Sequence, residues 1–209
     1  MNYVSYRGKE FKIKKDRLSL KKEGITDISE IQGFESLTNL KELNLSNNEI
    51  TEIKALDNIT SLENLNLSRN QISEIKGLEK LTNLKVLNLR INPFITKIQG
   101  LDNLENLERL DLSFNQINEI EGLNKLIKLQ KLYLWGNKFT EIKGFENLIN
   151  LKELHLDIKW KHGEFYLNGE LIPKEERKKM GHFKQPSVGS EIYVNAQKIV
   201  QYCKERKLN

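Results

Sequence analysis

The amino-acid sequence predicts an α/β solenoid that forms one continuous domain. A segment of the form Leu-x-x-Leu-x-Leu-x-x-Asn occurs five times, beginning at Leu40, Leu62, Leu84, Leu107 and Leu129. The steps between these segments are 22, 22, 23 and 22 residues, and such regularity is the mark of stacked structural repeats. The chain is 38% hydrophobic and 30% charged, so it can bury a core between stacked turns. No apolar run approaches the ~20 residues that cross a membrane.

Each repeat has a strand part and a returning part. In the first full repeat, Leu43 and Leu45 alternate with polar residues, which is the period of a strand with one buried face. After Asn48 the apolar spacing widens to every third residue, from Ile50 onward. This spacing favours a turn-rich or 3₁₀ return over a long α-helix. One repeat cannot bury all these side chains, so the turns must stack.

The asparagine that ends each strand segment has a predicted structural role. A buried side-chain amide can bond backbone groups that lose their partners where the strand bends away. Stacked copies then form a ladder, and we prefer this interpretation to a row of ligand-binding amides. The ladder comprises Asn48, Asn70, Asn92, Asn115 and Asn137.

Residues 1–36 are predicted to form an N-terminal cap that contains a degenerate first repeat. Residues 3–6 and 10–13 flank a short turn with Gly8 and are typical of a β-hairpin. Leu18 and Leu20 keep the Leu-x-Leu core of a repeat. A cap is expected because a terminal repeat would otherwise expose its apolar edge. The full repeats then cover residues 37–158.

Residues 159–209 are predicted to form a C-terminal cap of a hairpin and helices. Asn168-Gly169 suits a two-residue turn between strands, and residues 173–180 start with a proline, as a short helix would. Ser190 can cap a last helix. Its apolar stripe should cover the end of the solenoid, although docking of a separate partner is an alternative. The stripe contains Ile192, Ala196, Ile199, Val200 and Cys203, with the cysteine as a packed thiol.

The repeat pattern, with Asn-x-Ile-x-x-Ile followed by Leu-x-x-Leu, resembles the 22-residue subclass of leucine-rich repeats over residues 18–158. This subclass is found in a regulatory subunit of protein phosphatase 1 and in the internalins of bacterial surfaces. The resemblance implies a curved horseshoe with a parallel β-sheet on its concave side. It also implies a binding protein, but the partners of these relatives differ, so the resemblance selects none.

Charge is distributed unevenly around the net value of +5. Both caps are basic and residues 23–158 are acidic, whereas a duplex-binding protein would carry a basic stripe on its main surface. One cysteine, Cys203, excludes an internal disulfide framework. The N-terminus lacks the apolar segment of a secretory signal. We therefore expect a cytoplasmic monomer with no membrane attachment.

The residues between the leucines should form columns across the concave sheet. The central column starts with Asn44 and Asn66 and ends with Tyr133 and His155. The N-terminal half of the face is thus small and polar, and the C-terminal half gathers the residue types that dominate protein-binding hot spots. The predicted partner-binding residues are Arg90, Arg109, Phe114, Lys131, Tyr133, Trp135, His155 and Trp160.

These residues predict a non-enzymatic protein-interaction module or scaffold, with another protein bound to the C-terminal half of the concave face. In this hypothesis Tyr133 and Trp135 are the anchors, and the cations meet acidic groups. An alternative is that the C-terminal tail folds back and covers Trp135 and Phe114 within the same chain. The sequence predicts no cofactor and no metal site, since three histidines and one cysteine have no recognised ligand spacing.

Two other classes of function are alternatives. An enzyme would use Asp111, Tyr133 and His155, which share a column, with Glu153 and Asp157 on either side of His155. A shallow sheet, however, lacks the water-excluding pocket that acid–base chemistry needs. An RNA-associated protein would use the basic tail and its aromatics, against which the acidic repeats argue. The tail residues concerned are Lys161, Lys174, Arg177, Lys178, Lys179 and Lys184, with Trp160, Phe165, Tyr166 and Phe183.

Overall fold

The computed structural model describes residues 3–161, 164–167, 170–171, 173–180 and 195–207. An N-terminal hairpin consists of β1 (Tyr3–Tyr6) and β2 (Lys9–Lys12). The repeats contribute β3 (Arg17–Ser19), β4 (Glu42–Asn44), β5 (Asn64–Asn66), β6 (Val86–Asn88), β7 (Arg109–Asp111), β8 (Lys131–Tyr133) and β9 (Glu153–His155). The C-terminal part contains β10 (Ile158–Lys161), β11 (Glu164–Leu167), β12 (Glu170–Leu171), α1 (Lys174–Met180) and α2 (Ala196–Lys207).

The seven repeat strands form one parallel sheet in chain order, from β3 to β9. Every strand pairs with the next in the register of the repeat, so that Leu43 lies beside Leu65 and Leu65 beside Leu87. The side chains of these leucines point into a core that runs through all the turns and is almost completely buried. The predicted solenoid with a parallel concave sheet is confirmed.

The returning segments of the full repeats are built from turns. In the described residues, 3₁₀-helix occurs at Ile28–Glu30 and Phe34–Ser36, within the degenerate first repeat. A glycine lies in the return of most repeats in the left-handed conformation. At Gly100, with φ of +66°, a Cβ would stand 2.3 Å from the Ile75 carbonyl oxygen of the preceding turn. Only glycine allows the turns to approach so closely there.

The five recurring asparagines are buried and bond the backbone of two successive turns. The Asn70 amide donates to the carbonyl oxygens of Leu45 at 3.0 Å and Leu67 at 2.9 Å. Its Oδ1 accepts from the Ile50 N–H at 3.1 Å. The Leu67 carbonyl also accepts from Asn92 at 3.1 Å, so it has two side-chain donors. The carbonyls of Leu45, Leu89 and Leu112 are shared by two ladder asparagines in the same way. The ladder therefore couples each turn to its neighbour.

The 23-residue repeat changes one bond of this ladder. Asn115 Oδ1 accepts from the backbone N–H of Asn92 at 2.8 Å, whereas Asn70, Asn92 and Asn137 accept from an isoleucine two residues beyond the preceding ladder asparagine. Pro93, which follows Asn92, has no N–H to offer. The additional residue is accommodated in the return, where the Phe94 side chain is 55% exposed.

The N-terminal hairpin closes the first end of the solenoid. Val4 and Tyr6 of β1 are buried in the common core, and Ser5 exchanges backbone hydrogen bonds with Gln32. Strand β2 continues beside the concave face, where Phe11 packs against the edge of the core. The hairpin thus covers the end of the core and also forms a wall next to the sheet.

The C-terminal strands form a separate antiparallel sheet in the order β10-β11-β12. The predicted hairpin is present, with Leu167 opposite Glu170, and its turn residues lie outside the described part. Strand β10 is an addition that the sequence interpretation lacked. It begins two residues after β9, so strand pairing changes from parallel to antiparallel where the repeat period ends.

Helix α2 packs on the last turn through the predicted apolar stripe. Ala196, Ile199, Val200 and Cys203 are buried, and the helix is capped by Asn195, whose Oδ1 accepts from the Lys198 N–H at 3.1 Å. The predicted cap Ser190 and the first stripe residue Ile192 lie outside the described residues. In the described segments, no helix combines the length and the apolar character that crossing a membrane requires.

Candidate functional site

The strand register places the concave side chains in the columns that the repeat spacing predicts. Asp111, Tyr133 and His155 are successive partners across β7, β8 and β9. Arg109 pairs with Lys131 in the same way. Neighbours in a column are therefore about 4.8 Å apart, close enough for large side chains to contact one another.

One group of contacts joins Arg90, Phe114 and Trp135. The Arg90 guanidinium lies over the Phe114 ring with its carbon 4.3 Å from the ring centroid. The Phe114 and Trp135 rings meet edge to face, with centroids 5.1 Å apart and planes at 80°. Phe114 remains 37% exposed. Stacked cations and edge-to-face rings each contribute about 1 kcal/mol, so the side chains hold one another in place while still facing solvent.

The backbone at Phe114 is strained. Its φ is +58°, and the same left-handed conformation occurs at the equivalent position of the other repeats, in Lys22, Asn47, Arg69, Ile91 and Gly136. Asparagine and glycine adopt this conformation readily, whereas for other residues it costs roughly 1–2 kcal/mol. Gly136 also leaves room for the ring, since a Cβ there would stand 2.9 Å from Phe114 Cδ1. The conformation is thus a property of the repeat, and Phe114 adopts it like the other residues at this position.

A second group of contacts joins Arg109, Tyr133 and His155. The Arg109 guanidinium carbon lies 5.0 Å from the Tyr133 ring centroid. The Tyr133 and His155 rings are 4.7 Å apart and tilted by 40°. We call Arg90, Arg109, Phe114, Tyr133 and Trp135 the aromatic patch.

Glu153 binds three of the side chains around it. It accepts from the Tyr133 hydroxyl at 2.7 Å and contacts His155 Nε2 at 3.0 Å. The Lys131 ammonium lies 2.9 Å from its other oxygen. Hydrogen bonds from Lys131 and Tyr133 lower the pKa of Glu153 to about 2. Burial, together with the bond to Glu153, raises the pKa of Tyr133 to about 12.

Glu153 therefore changes the expected role of Lys131. The sequence hypothesis placed this lysine opposite acidic groups of a partner, but in the structure its charge is already matched within the chain. Arg90 and Arg109 differ, because neither has a carboxylate within ion-pair distance among the described residues. These two guanidiniums are the cations that the aromatic patch can offer to a ligand.

The remaining predicted site residue, Trp160, lies in β10, where its backbone is opposite Phe165. Its side chain lies outside the described part, as do most of the basic side chains of the tail. The described portion of the tail contacts the last turn elsewhere: Gln197 donates to the carbonyl oxygens of Leu151 and Ile149. No described contact joins α2 to Phe114 or Trp135.

The carboxylates of the enzyme alternative are bonded in different ways. Glu153, which flanks His155 in the sequence, contacts His155 Nε2 at 3.0 Å. Asp111 Oδ1 instead accepts from the backbone N–H of Ser113 at 3.0 Å. This arrangement fixes the side chains in place on an open sheet.

The structure reveals a second concave feature that the sequence interpretation missed. A cavity of about 880 Å³ lies between β2 and the N-terminal half of the sheet, which we call the N-terminal groove. Its lining includes Lys12, Lys14, Asn44, Asn66, Asn88 and Arg109. The asparagine column was visible in the sequence, but nothing there indicated that the hairpin would stand beside it.

Comparison with protein families and solved structures agrees with the repeat architecture. A model of two leucine-rich repeats matches residues 60–103 and 105–147, and a second leucine-rich repeat model matches residues 16–72. No curated protein gives a significant match.

Internalin C2 and TLR13 are two of the solved structures that share the fold with this chain. Internalin C2 from Listeria monocytogenes is 34% identical, with a TM-score of 0.61 over 66% of this chain and 60% of that one. TLR13, in a complex with ssRNA13, is 36% identical, with a TM-score of 0.54 over 58% of this chain and 18% of that one. The chain thus spans about three fifths of internalin C2 and a small part of TLR13. From its repeats, its sheet and these matches, the chain belongs to the leucine-rich repeat family.

Proposed function

We propose that the chain is a protein-interaction module that binds a segment of another protein on the aromatic patch. Leucine-rich repeat proteins, and the internalin-like structures among them, are generally non-enzymatic interaction modules. The single observation that carries the more specific proposal is the pair of stacked guanidiniums, Arg90 on Phe114 and Arg109 on Tyr133. Both are oriented by an aromatic ring, and both lack a described carboxylate partner.

The chemistry of the patch indicates what the bound segment contains. Half-exposed Phe114, Tyr133 and Trp135 offer apolar area with fixed geometry, which is the composition of a binding hot spot. A guanidinium held over a ring has already lost much of its side-chain freedom, so a carboxylate can bind it with a smaller entropic cost. The bound segment should therefore carry an apolar anchor residue and at least one acidic side chain.

Photocrosslinking tests whether another protein contacts this surface. A photoreactive phenylalanine derivative placed at Phe114 should crosslink a protein partner in a native cell extract. The matched control places the same derivative at Phe94, the exposed aromatic of a return, where no crosslink to that partner should form. Equal crosslinking from both positions would contradict the proposal. A crosslinked species removed by ribonuclease would favour the RNA-associated alternative.

Two variants separate the apolar and charged contributions. Tyr133→Ala with Trp135→Ala should abolish capture while the fold survives, because the core is formed by the neighbouring leucines. Arg90→Gln with Arg109→Gln should weaken capture of the same partner and reduce its dependence on salt. The control is Arg69→Gln, an exposed arginine in the N-terminal half of the repeats. Unchanged capture by both double variants would refute the role of the patch.

The proposal includes a cytoplasmic location and a monomeric state. A single, buried cysteine supports a reducing compartment. Cell fractionation and light scattering of the purified chain test these two points. A membrane-bound fraction, or a dimer at micromolar concentration, would contradict them.

A further inference from the structure

The N-terminal groove presents a row of hydrogen-bond donors with a fixed orientation. Asn44 Oδ1 accepts from the backbone N–H of Ser46 at 3.0 Å, and Asn66 Oδ1 accepts from Ser68 in the same way. Since the oxygen of each amide is turned toward the backbone, its NH₂ group must point the other way. The amide orientation is therefore set by the fold.

Three consecutive strands repeat this arrangement. Asn88 Oδ1 accepts from the Arg90 N–H at 3.0 Å, and Asn44, Asn66 and Asn88 are register partners in β4, β5 and β6. Among the described residues, none of the three NH₂ groups has an acceptor. The groove thus carries donors at steps of about 4.8 Å over roughly 10 Å.

The charges around the groove are mostly positive, so they favour the same oxygen-rich ligand as the amide donors do. Lys12 and Lys14 stand on the hairpin side and Arg109 on the far side. None of these three has a described ion-pair partner, whereas Arg17 in the same lining is bonded to Glu42 at 3.1 Å. Glu10 contributes one negative charge, so cations still predominate. A ligand that fits must present acceptor oxygens and negative charge.

The size of the groove and its lack of stacking surfaces narrow the class of ligand. The strands from β3 to β7 span roughly 19 Å, the length of about six extended residues. Phe11 is the one aromatic residue in the lining, and it packs against the core. Single-stranded nucleic acids are held largely by stacking of bases on aromatic side chains, whereas peptide carboxylates and carbonyls need only donors.

We propose that the N-terminal groove binds an extended acidic peptide segment, with the amides of Asn44, Asn66 and Asn88 donating to its oxygens and Lys12, Lys14 and Arg109 neutralising its carboxylates. This segment need not belong to the protein bound by the aromatic patch. The two surfaces share Arg109, so Asn66→Asp tests the groove and Tyr133→Ala with Trp135→Ala tests the patch. The family's general role is protein interaction. The proposal adds a binding surface besides the aromatic patch and names the chemistry of its ligand.

The chain itself supplies a conservative substitution for the test. Asp111 takes the place of asparagine in β7, and its Oδ1 accepts from the Ser113 N–H at the same 3.0 Å. Asn66→Asp should therefore keep the backbone bond and the fold while replacing a donor by a charged acceptor. The reverse change, Asp111→Asn, should extend the donor row to a fourth strand.

The experiment measures fluorescence anisotropy of labelled probes with the 209-residue chain. The first probe is a peptide of about six residues in which glutamate alternates with glycine. The other probes are the same peptide with glutamine and a single-stranded oligouridylate of equal charge. The acidic peptide should bind, Asn66→Asp should weaken it about tenfold or more, and Asp111→Asn should tighten it about threefold.

Charge-matched controls distinguish direct contact from the net charge of the protein. Asn118→Asp and Glu119→Gln make the same charge changes at exposed positions of a return and should leave binding unchanged. The proposal is overturned if Asn118→Asp weakens binding of the acidic peptide as much as Asn66→Asp does. It is also overturned if the glutamine peptide binds as tightly as the acidic peptide. Two other results would also overturn it. The acidic peptide does not bind, or the oligouridylate binds more tightly than the acidic peptide and Asn66→Asp abolishes oligouridylate binding.

Discussion

The shared acceptors of the asparagine ladder predict a specific pattern of stability changes. Asn70→Ala leaves the buried Ile50 N–H without its acceptor, which costs roughly 1–3 kcal/mol. The Leu45 and Leu67 carbonyls each lose one of two side-chain donors. Two weakened acceptors add about 1 kcal/mol, so the free energy of unfolding should fall by about 3 kcal/mol.

A double substitution tests whether the acceptors are truly shared. In Asn70→Ala combined with Asn92→Ala, the Leu67 carbonyl loses both donors. The double variant should then be less stable than the sum of the single variants by about 1 kcal/mol. Asn70→Ala with Asn137→Ala is the matched control, because these two asparagines share no backbone partner. That pair should be additive.

Urea denaturation followed by circular dichroism, with linear extrapolation, measures all these variants. Loss of side-chain volume is the same in both pairs, so the thermodynamic cycle cancels it. A decrease below about 1 kcal/mol for Asn70→Ala would refute the account of the ladder, given the cost of an unpaired buried N–H. Additivity within experimental error for the Asn70 and Asn92 pair would refute the sharing.

Three further predictions concern the return and the charged side chains. Gly100→Ala should destabilise by about 3 kcal/mol, since its Cβ would overlap the Ile75 carbonyl; an unchanged thermal midpoint would contradict this. Tyr133→Phe should remove one phenol that titrates near pH 12 in an absorbance titration. The stabilisation from the raised pKa is full below pH 10.0 and is lost as the pH rises toward 12. Lys131→Met should raise the pKa of Glu153, measured by carbon-13 NMR, because the lysine is the main cause of its low value. The stabilisation from the lowered pKa of Glu153 is full above pH 4.5 and is lost as the pH falls toward 2.

The repeat architecture could be predicted from the sequence because neighbouring turns impose the same constraints on one another. The leucines at Leu43 and Leu65 occupy equivalent places, so one repeat determines the register of the next. The columns of concave side chains follow from that register without further information. Tyr133 and His155 could thus be placed side by side from their spacing alone.

The contacts that the sequence interpretation missed depend on tertiary positions or on long side chains. The N-terminal groove exists because β2 stands beside the sheet, and no periodic pattern relates the hairpin to the repeats. The bonds of Glu153 depend on rotamers of three neighbours, which residue spacing does not determine. The unexpected pairing of β10 occurs where the repeat period ends, and there the neighbouring turns no longer constrain the chain.

The end of the asparagine ladder has a consequence for the dynamics of the solenoid. At the ladder position after Asn137 the sequence has Lys159, and the Leu134 carbonyl accepts from a single ladder amide. Among the described residues, no ladder amide therefore joins the last turn to the turn before it, whereas one joins each earlier pair of turns. Local opening should begin on this side, and amide hydrogen exchange in residues 138–156 should be faster than in the central turns. The aromatic patch adjoins this boundary, so the surface that we assign to partner binding lies next to the part of the sheet that can most readily adapt its shape.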